Sequence, residues 1–181
     1  MILYDGRPED TTGRLPREVR TYDYLDSLQI PYQRTDHGRA DNMEACYEID
    51  AVLGVVICKN LFLCNRQKTV FYLLMIQETK SFKTKDISKQ LGVSRLSFGT
   101  PEDMRRLLHI SPGAVSPMGL LFESARDVRL IMDRALLSAS QLGCHPCVNT
   151  ASIRLSMRDF LDIYLPAVHH VPTFVDVADA P

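Results

Sequence analysis

Residues 55–77 read VVICKNLFLCNRQKTVFYLLMIQ. Two runs rich in β-branched, aromatic and aliphatic residues, VVICKNLFLC (55–64) and KTVFYLLMIQ (68–77), flank the polar turn NRQK. Each is too short for a packed helix and too continuously apolar for a strand with one wet face. The pattern predicts a hairpin of buried strands at the centre of a sheet. One residue breaks it. Lys59 is a charged group inside an apolar strand, which requires an open face or a partner.

On either side of the hairpin the chain alternates irregularly. Val19, Tyr22, Leu25 and Leu28 recur at helical spacing in 17–30, and Pro31 ends that helix. YQRTDH (32–37) reads as a short strand. Residues 41–54 read as a helix capped by Asp41 or Asn42 and closed by Gly54. KTKDISKQLG (83–92) is a short amphipathic helix, and SRLSFG (94–99) a short strand. Residues 100–110 form a helix with Thr100 as cap and Pro101 in its first position. After the turn-rich SPGAVSPMGLLF (111–122) come a strand at 127–133, a helical turn at 134–141, a strand at 148–155 and a helix at 156–165 capped by Ser156. This order predicts a mixed α/β (α+β) fold, a mixed sheet with helices packed around it, rather than a doubly wound parallel fold. Residues 1–16 are expected to be a loose lead-in and 167–181 a tail. No glycine-rich phosphate loop is present.

Composition narrows the function. The chain has 181 residues, enough for one domain with a core, with 45% hydrophobic and 24% charged residues. A net charge of −1 gives no global field for nucleic acid, so any RNA contact has to come from a local basic patch, and DNA is not expected. No apolar stretch reaches the roughly 18–20 residues of a membrane helix. The polar first residues contain no apolar signal core, and the cytoplasm is the expected compartment.

Four features carry candidate chemistry. The first is GCHPCVNT (143–150), a C-x-x-C pair around His145 and Pro146. A redox dithiol would open a helix, but a β-branched segment follows. A zinc site would need a second close ligand pair, and Cys46, Cys58 and Cys64 supply none. The sulfurs therefore read as packing, and His145 on a proline-fixed turn, with Asn149 and Thr150 near it, as either a turn residue or a site residue. The second is Lys59 beside Asn60, either solvated on an edge strand or an amine aimed into a cleft. The third is Gly113, Ala114, Val115, Ser116 and Pro117, a loop that is either a plain turn or a preformed cradle for an oxyanion. The fourth is the lysine run Lys80, Lys83, Lys85 and Lys89, either a solvated face or a phosphate contact. No Ser–His–Asp set or close carboxylate pair is evident.

Lys59 in CKNLFL, the segment LLHISPGAVSPMGLL and GCHPCVNTASIRLSMRDFL occur together and in this order. On these residues, over about 17–166, the chain resembles the YbaK/ProX family of aminoacyl-tRNA editing domains, and within it the free-standing prolyl-tRNA synthetase-associated subgroup (PrdX/ProXp-ala). The resemblance implies a mixed, mostly antiparallel, barrel-like sheet surrounded by helices. It also implies trans-editing hydrolysis of a mischarged tRNA, most closely Ala-tRNA(Pro), with tRNA(Pro) and prolyl-tRNA synthetase as partners. No cofactor, metal or membrane is implied. Carried over by motif, Lys59, Gly113 and His145 are the catalytic set. Asn60, Ala114, Val115, Ser116, Pro117 and Asn149 bind substrate. One departure is His37–Gly38, where the family often has His-Pro. Two alternatives stay open: editing of a cysteinyl- or seryl-tRNA, and a non-catalytic tRNA- or synthetase-binding module.

Overall fold

The computed structural model describes residues 1–40 and 42–180. The candidate cap Asp41 and the terminal Pro181 lie outside the described residues. The hairpin read from 55–77 is formed by β3 (Lys59–Cys64) and β4 (Phe71–Ile76), paired antiparallel from Lys59↔Ile76 to Cys64↔Phe71. Asn65 closes the turn: its side-chain oxygen accepts from the amides of Thr69 (2.9 Å) and Val70 (3.1 Å). Residues 55–58 lie outside β3, so the first strand is shorter than its apolar run.

The hairpin sits inside a five-stranded sheet. Its order is β5 (Ser97–Phe98), β3, β4, β6 (Arg129–Asp133) and β9 (Thr173–Val175). β4 and β6 pair in parallel, with α3 (Thr84–Leu91), β5 and α4 (Pro101–Leu108) in the connection between them. Every residue of β4 is buried, because both faces are covered. Leu73 and Met75 join the main core, which includes Tyr22 and Leu25 of α1 (Pro16–Ser27). Tyr72, Leu74 and Ile76 point the other way, to a second cluster that includes Ile87 of α3.

A second sheet, antiparallel throughout, has the order β1 (Leu3–Asp5), β2 (Tyr32–Asp36), β8 (Ala151–Ser156), β7 (Gln141–Cys144). The two sheets meet at a parallel bridge between Ile57 and Gly143, where the Cys58 amide donates to the Gly143 carbonyl (3.3 Å). A Cβ on residue 143 would stand 2.9 Å from Val55 Cγ1 and 3.3 Å from Ile57 Cα, so only glycine permits this approach. The seam has a direct consequence: it brings the start of β3 beside the end of β7.

The helices follow their end signals. Asn42 caps α2 (Met43–Leu53) by accepting from the Ala45 amide (2.9 Å), and Gly54 ends it with φ 71°. Thr100 and Asp103 make a reciprocal capping box on α4, with Pro101 at its start. Ser156 caps the last helical stretch, which runs from α5 (Met157–Asp159) through a π turn (Phe160–Tyr164) into α6 (Leu165–Ala167). Residues 134–138 and 117–121 are 3₁₀ turns.

Three expectations need correction. The mixed α/β class holds, but the strands form two bridged sheets and not one closed barrel. The lead-in contains β1, held in register by β2 (Leu3↔Thr35 to Asp5↔Gln33). The expected tail contains β9, parallel to β6, and buries Val175 and Val177. Among the described residues no helix is long and apolar enough to cross a membrane.

Candidate active site

A cavity of about 300 Å³ opens beside the seam between the sheets. Four elements build it. The face of α2 that carries Cys46, Ile49 and Asp50, at helical spacing, forms one wall. The hairpin gives Lys59 at the head of β3 and Glu78 just past the end of β4. The loop before the 3₁₀ turn gives Gly113, and the corner between β7 and β8 gives His145 and Asn149. Thus Lys59, Gly113, His145 and Asn149, read as site residues from separate segments, share one cavity.

Lys59 is exposed, and among the described residues its ammonium makes no hydrogen bond or ion pair. Two carboxylates line the same space. Asp50 accepts from the Ile57 amide (3.2 Å), and its carboxyl is nonetheless held above the usual aspartate range, first by burial and then by the charge of Glu78. The cavity can therefore hold both an anionic and a cationic substrate group.

His145 has a defined tautomer. Its Nδ1 lies 3.1 Å from the Ala151 carbonyl, which only accepts, so Nδ1 carries the proton and Nε2 keeps its lone pair. Ser152 Oγ stands 3.3 Å from the same Nδ1 and 2.9 Å from His37 Nε2. His37 Nδ1 in turn donates to the Gly38 carbonyl (2.6 Å), so its Nε2 is the acceptor for the serine hydroxyl. Burial pushes the His145 imidazole below its ordinary value. The Ala151 bond opposes that shift and His37 adds to it, so the neutral ring prevails at pH 7.

The loop at 111–117 is braced from behind. Gly113 has φ 89°, and a Cβ there would stand 3.5 Å from Asn149 Nδ2. The buried Ser116 hydroxyl donates to the His145 carbonyl (2.5 Å) and accepts from the Met118 amide (3.1 Å). Tyr164 donates to the Pro117 carbonyl (2.8 Å).

Not every expected residue lines the cavity. Asn60, the next residue along β3, turns its amide onto the Cys58 carbonyl (3.1 Å). Ser116 and Pro117 are buried behind the loop, Val115 packs on the main core, and Ala114 lines a neighbouring cavity. Lys80 pairs with Asp179 (2.9 Å), while Lys83, Lys85 and Lys89 are exposed around α3 and line neither cavity. Cys144 and Cys147 are fully buried free thiols. Burial pushes the Cys147 thiol up to about 12 and raises that of Cys144 strongly. A thiolate nucleophile is excluded there, and the sulfurs are packing. Arg39, Cys46, Asp50 and Glu78 are additions from the structure. The only sequence signal for the α2 pair was its helical spacing.

Residues 37–163, a span that includes every residue lining this cavity, match the aminoacyl-tRNA editing domain. The chain belongs to that family. As an editing domain it is an aminoacyl-tRNA deacylase, a hydrolase of the ester between amino acid and tRNA. It is 30% identical over 135 residues to the prolyl-tRNA editing protein ProX of Acetoanaerobium sticklandii, covering 75% of this chain and 82% of that protein. It is 31% identical over 156 residues to prolyl-tRNA synthetase associated domain-containing protein 1 of Mus musculus, covering 84% and 91%. A solved structure described as a candidate trans-editing enzyme for prolyl tRNA synthetase superposes with a TM-score of 0.69. It shares 16% identity over 92% of this chain and 99% of that one, a likeness of fold.

Proposed function

We propose that this editing domain acts in trans on Ala-tRNA(Pro), in the cytoplasm and alongside prolyl-tRNA synthetase. The observation that supports this reading is the meeting of Lys59, Gly113 and His145 around one small cavity. The names of the relatives supply the tRNA and the synthetase.

An aminoacyl ester is already activated, so positioning and charge stabilisation suffice. Lys59 holds the 3′ end of the tRNA and offsets negative charge developing on the ester. The Gly113 loop presents backbone to the aminoacyl group. Asp50 and Glu78 receive its α-ammonium. Water attacks the carbonyl carbon, the acyl–oxygen bond breaks, and the proton passes to the departing ribose oxygen, yielding free alanine and a tRNA with its terminal hydroxyl restored. The neighbouring ribose hydroxyl relays that proton, with His145 Nε2 as its hydrogen-bond acceptor.

Selectivity follows from size. A synthetase pocket separates apolar side chains by only about 1–3 kcal/mol per methylene, so a second pocket that admits the smaller one is needed. The test is a panel of Ala-tRNA(Pro), Pro-tRNA(Pro), Cys-tRNA and Ser-tRNA incubated with the purified protein. Rapid loss of the alanyl ester with the prolyl ester spared is expected. Preference for the cysteinyl or seryl ester transfers the reading to that substrate, and no hydrolysis of any ester would falsify it.

A further inference from the structure

A second cavity of about 180 Å³ adjoins the first and shares Arg39 and Asn149 with it. The loop at 111–114 divides the two: Gly113 faces the first, and Ser111 and Ala114 face the second. Their charges differ in kind. The first cavity contains Asp50 and Glu78 beside Lys59. The second has Arg17 and Arg39 and, among the described residues, no carboxylate. Glu18, the residue after Arg17, is engaged with Arg14 (2.6 Å) and Tyr22 (2.9 Å). Arg17 is fixed by its Nε, which donates to the Cys147 carbonyl (3.0 Å). Among the described residues its two terminal nitrogens make no bond, so the guanidinium fork is held in place with donors to spare.

We infer that the second cavity is an anion subsite that takes the phosphodiester on the 5′ side of the terminal nucleoside of the tRNA. This rests on the function proposed above. The 3′ end of an aminoacyl-tRNA carries a cationic amine on the amino acid and its first anion one nucleoside away. Two joined cavities, the first holding two acids beside its cations and the second, among the described residues, holding cations alone, present complementary charges in that order. Protein net charge is −1, so backbone attraction has to be local, and this is a local source of it. Arg17 is carried by α1, before the matched span of 37–163, and Arg39 lies within that span.

The test compares two substrates: Ala-tRNA(Pro) and 3′-O-alanyl-adenosine, which lacks the phosphate. Arg17→Gln is expected to raise KM for the tRNA ester about tenfold, the size of one charged hydrogen bond, and to leave the nucleoside ester unchanged. Arg17→Lys restores part of the loss. The salt dependence of tRNA binding should flatten by roughly 0.7 in log–log slope per lost contact. A thermal melt of Arg17→Gln guards against loss of its bond to Cys147. Equal effects on both esters, or none on the tRNA, overturn the subsite. If the wild type hydrolyses neither ester, the activity reading falls. The subsite is then judged on uncharged tRNA alone, where equal affinities of wild type and Arg17→Gln overturn it.

Discussion

The two walls that meet at the cavity are held in place by different means. The hairpin wall is positioned by strand register. Lys59 stands opposite Ile76 because six residue pairs in a row leave no other alignment, and the buried β4 anchors them. The side chain of Lys59 itself is exposed and, among the described residues, makes no hydrogen bond or ion pair. The corner itself, residues 145–149, lies between the ends of two ladders, past Cys144 of β7 and before the β2–β8 pairing. It depends on individual hydrogen bonds: Ser116 to the His145 carbonyl, His145 to Ala151, and Ser152 to His37. Function and stability should therefore separate on the hairpin side and travel together on the corner side.

The sharpest test is Lys59→Ala. Deacylation should fall by about two orders of magnitude, as for loss of one group stabilising developing charge, while the melting temperature stays near wild type. A large drop in melting temperature would break the contrast between the walls. Ser116→Ala comes next. It leaves the His145 carbonyl and the buried Met118 amide without this partner and should cost about 1–3 kcal/mol by denaturant unfolding, with activity falling in parallel. Gly113→Ala places a side chain at φ 89° and should cost about 1–2 kcal/mol, with a several-fold loss of rate and no lost contact.

A pH profile tests the corner more finely. The folded His145 binds its proton less readily than the unfolded one, so its contribution to stability is present above the ordinary histidine value of about 6.5. That contribution is lost as pH falls through the lowered folded value. The acid limb of deacylation should likewise lie below 6.5, and a limb above it would show a charged ring at work. The smallest effect is expected from iodoacetamide. With Cys144 and Cys147 buried and protonated, a Cys46→Ser variant, which lacks the half-buried thiol of the cavity wall, should keep its activity through a treatment that alkylates accessible thiols.

Legibility in the sequence followed locality. The hairpin, the cap Thr100 and the stop Gly54 depend on neighbours along the chain and were readable, and the cap of α2 was narrowed to Asp41 or Asn42. Lys59 was conspicuous because a charge in an apolar strand conflicts with its surroundings. Strands β1 and β9 were not legible. Each has three residues, too few for a period, and each owes its conformation to a distant partner, β2 or β6. Asp50 and Glu78 were hidden for another reason. They are two of 22 acidic residues, and only the packing of α2 against the end of the hairpin sets them apart. Asn60 misled because its neighbour was informative: alternation along a strand sends adjacent side chains to opposite faces.

The buried hydroxyl of Ser116 has a mechanical consequence. It rivets the glycine loop to the histidine corner, so the opening between them cannot widen by bending one loop alone. A bulkier guest would have to draw the rivet, at about 1–3 kcal/mol. A stiff aperture of this kind rejects by refusing to stretch, with no need for a clashing residue at its mouth.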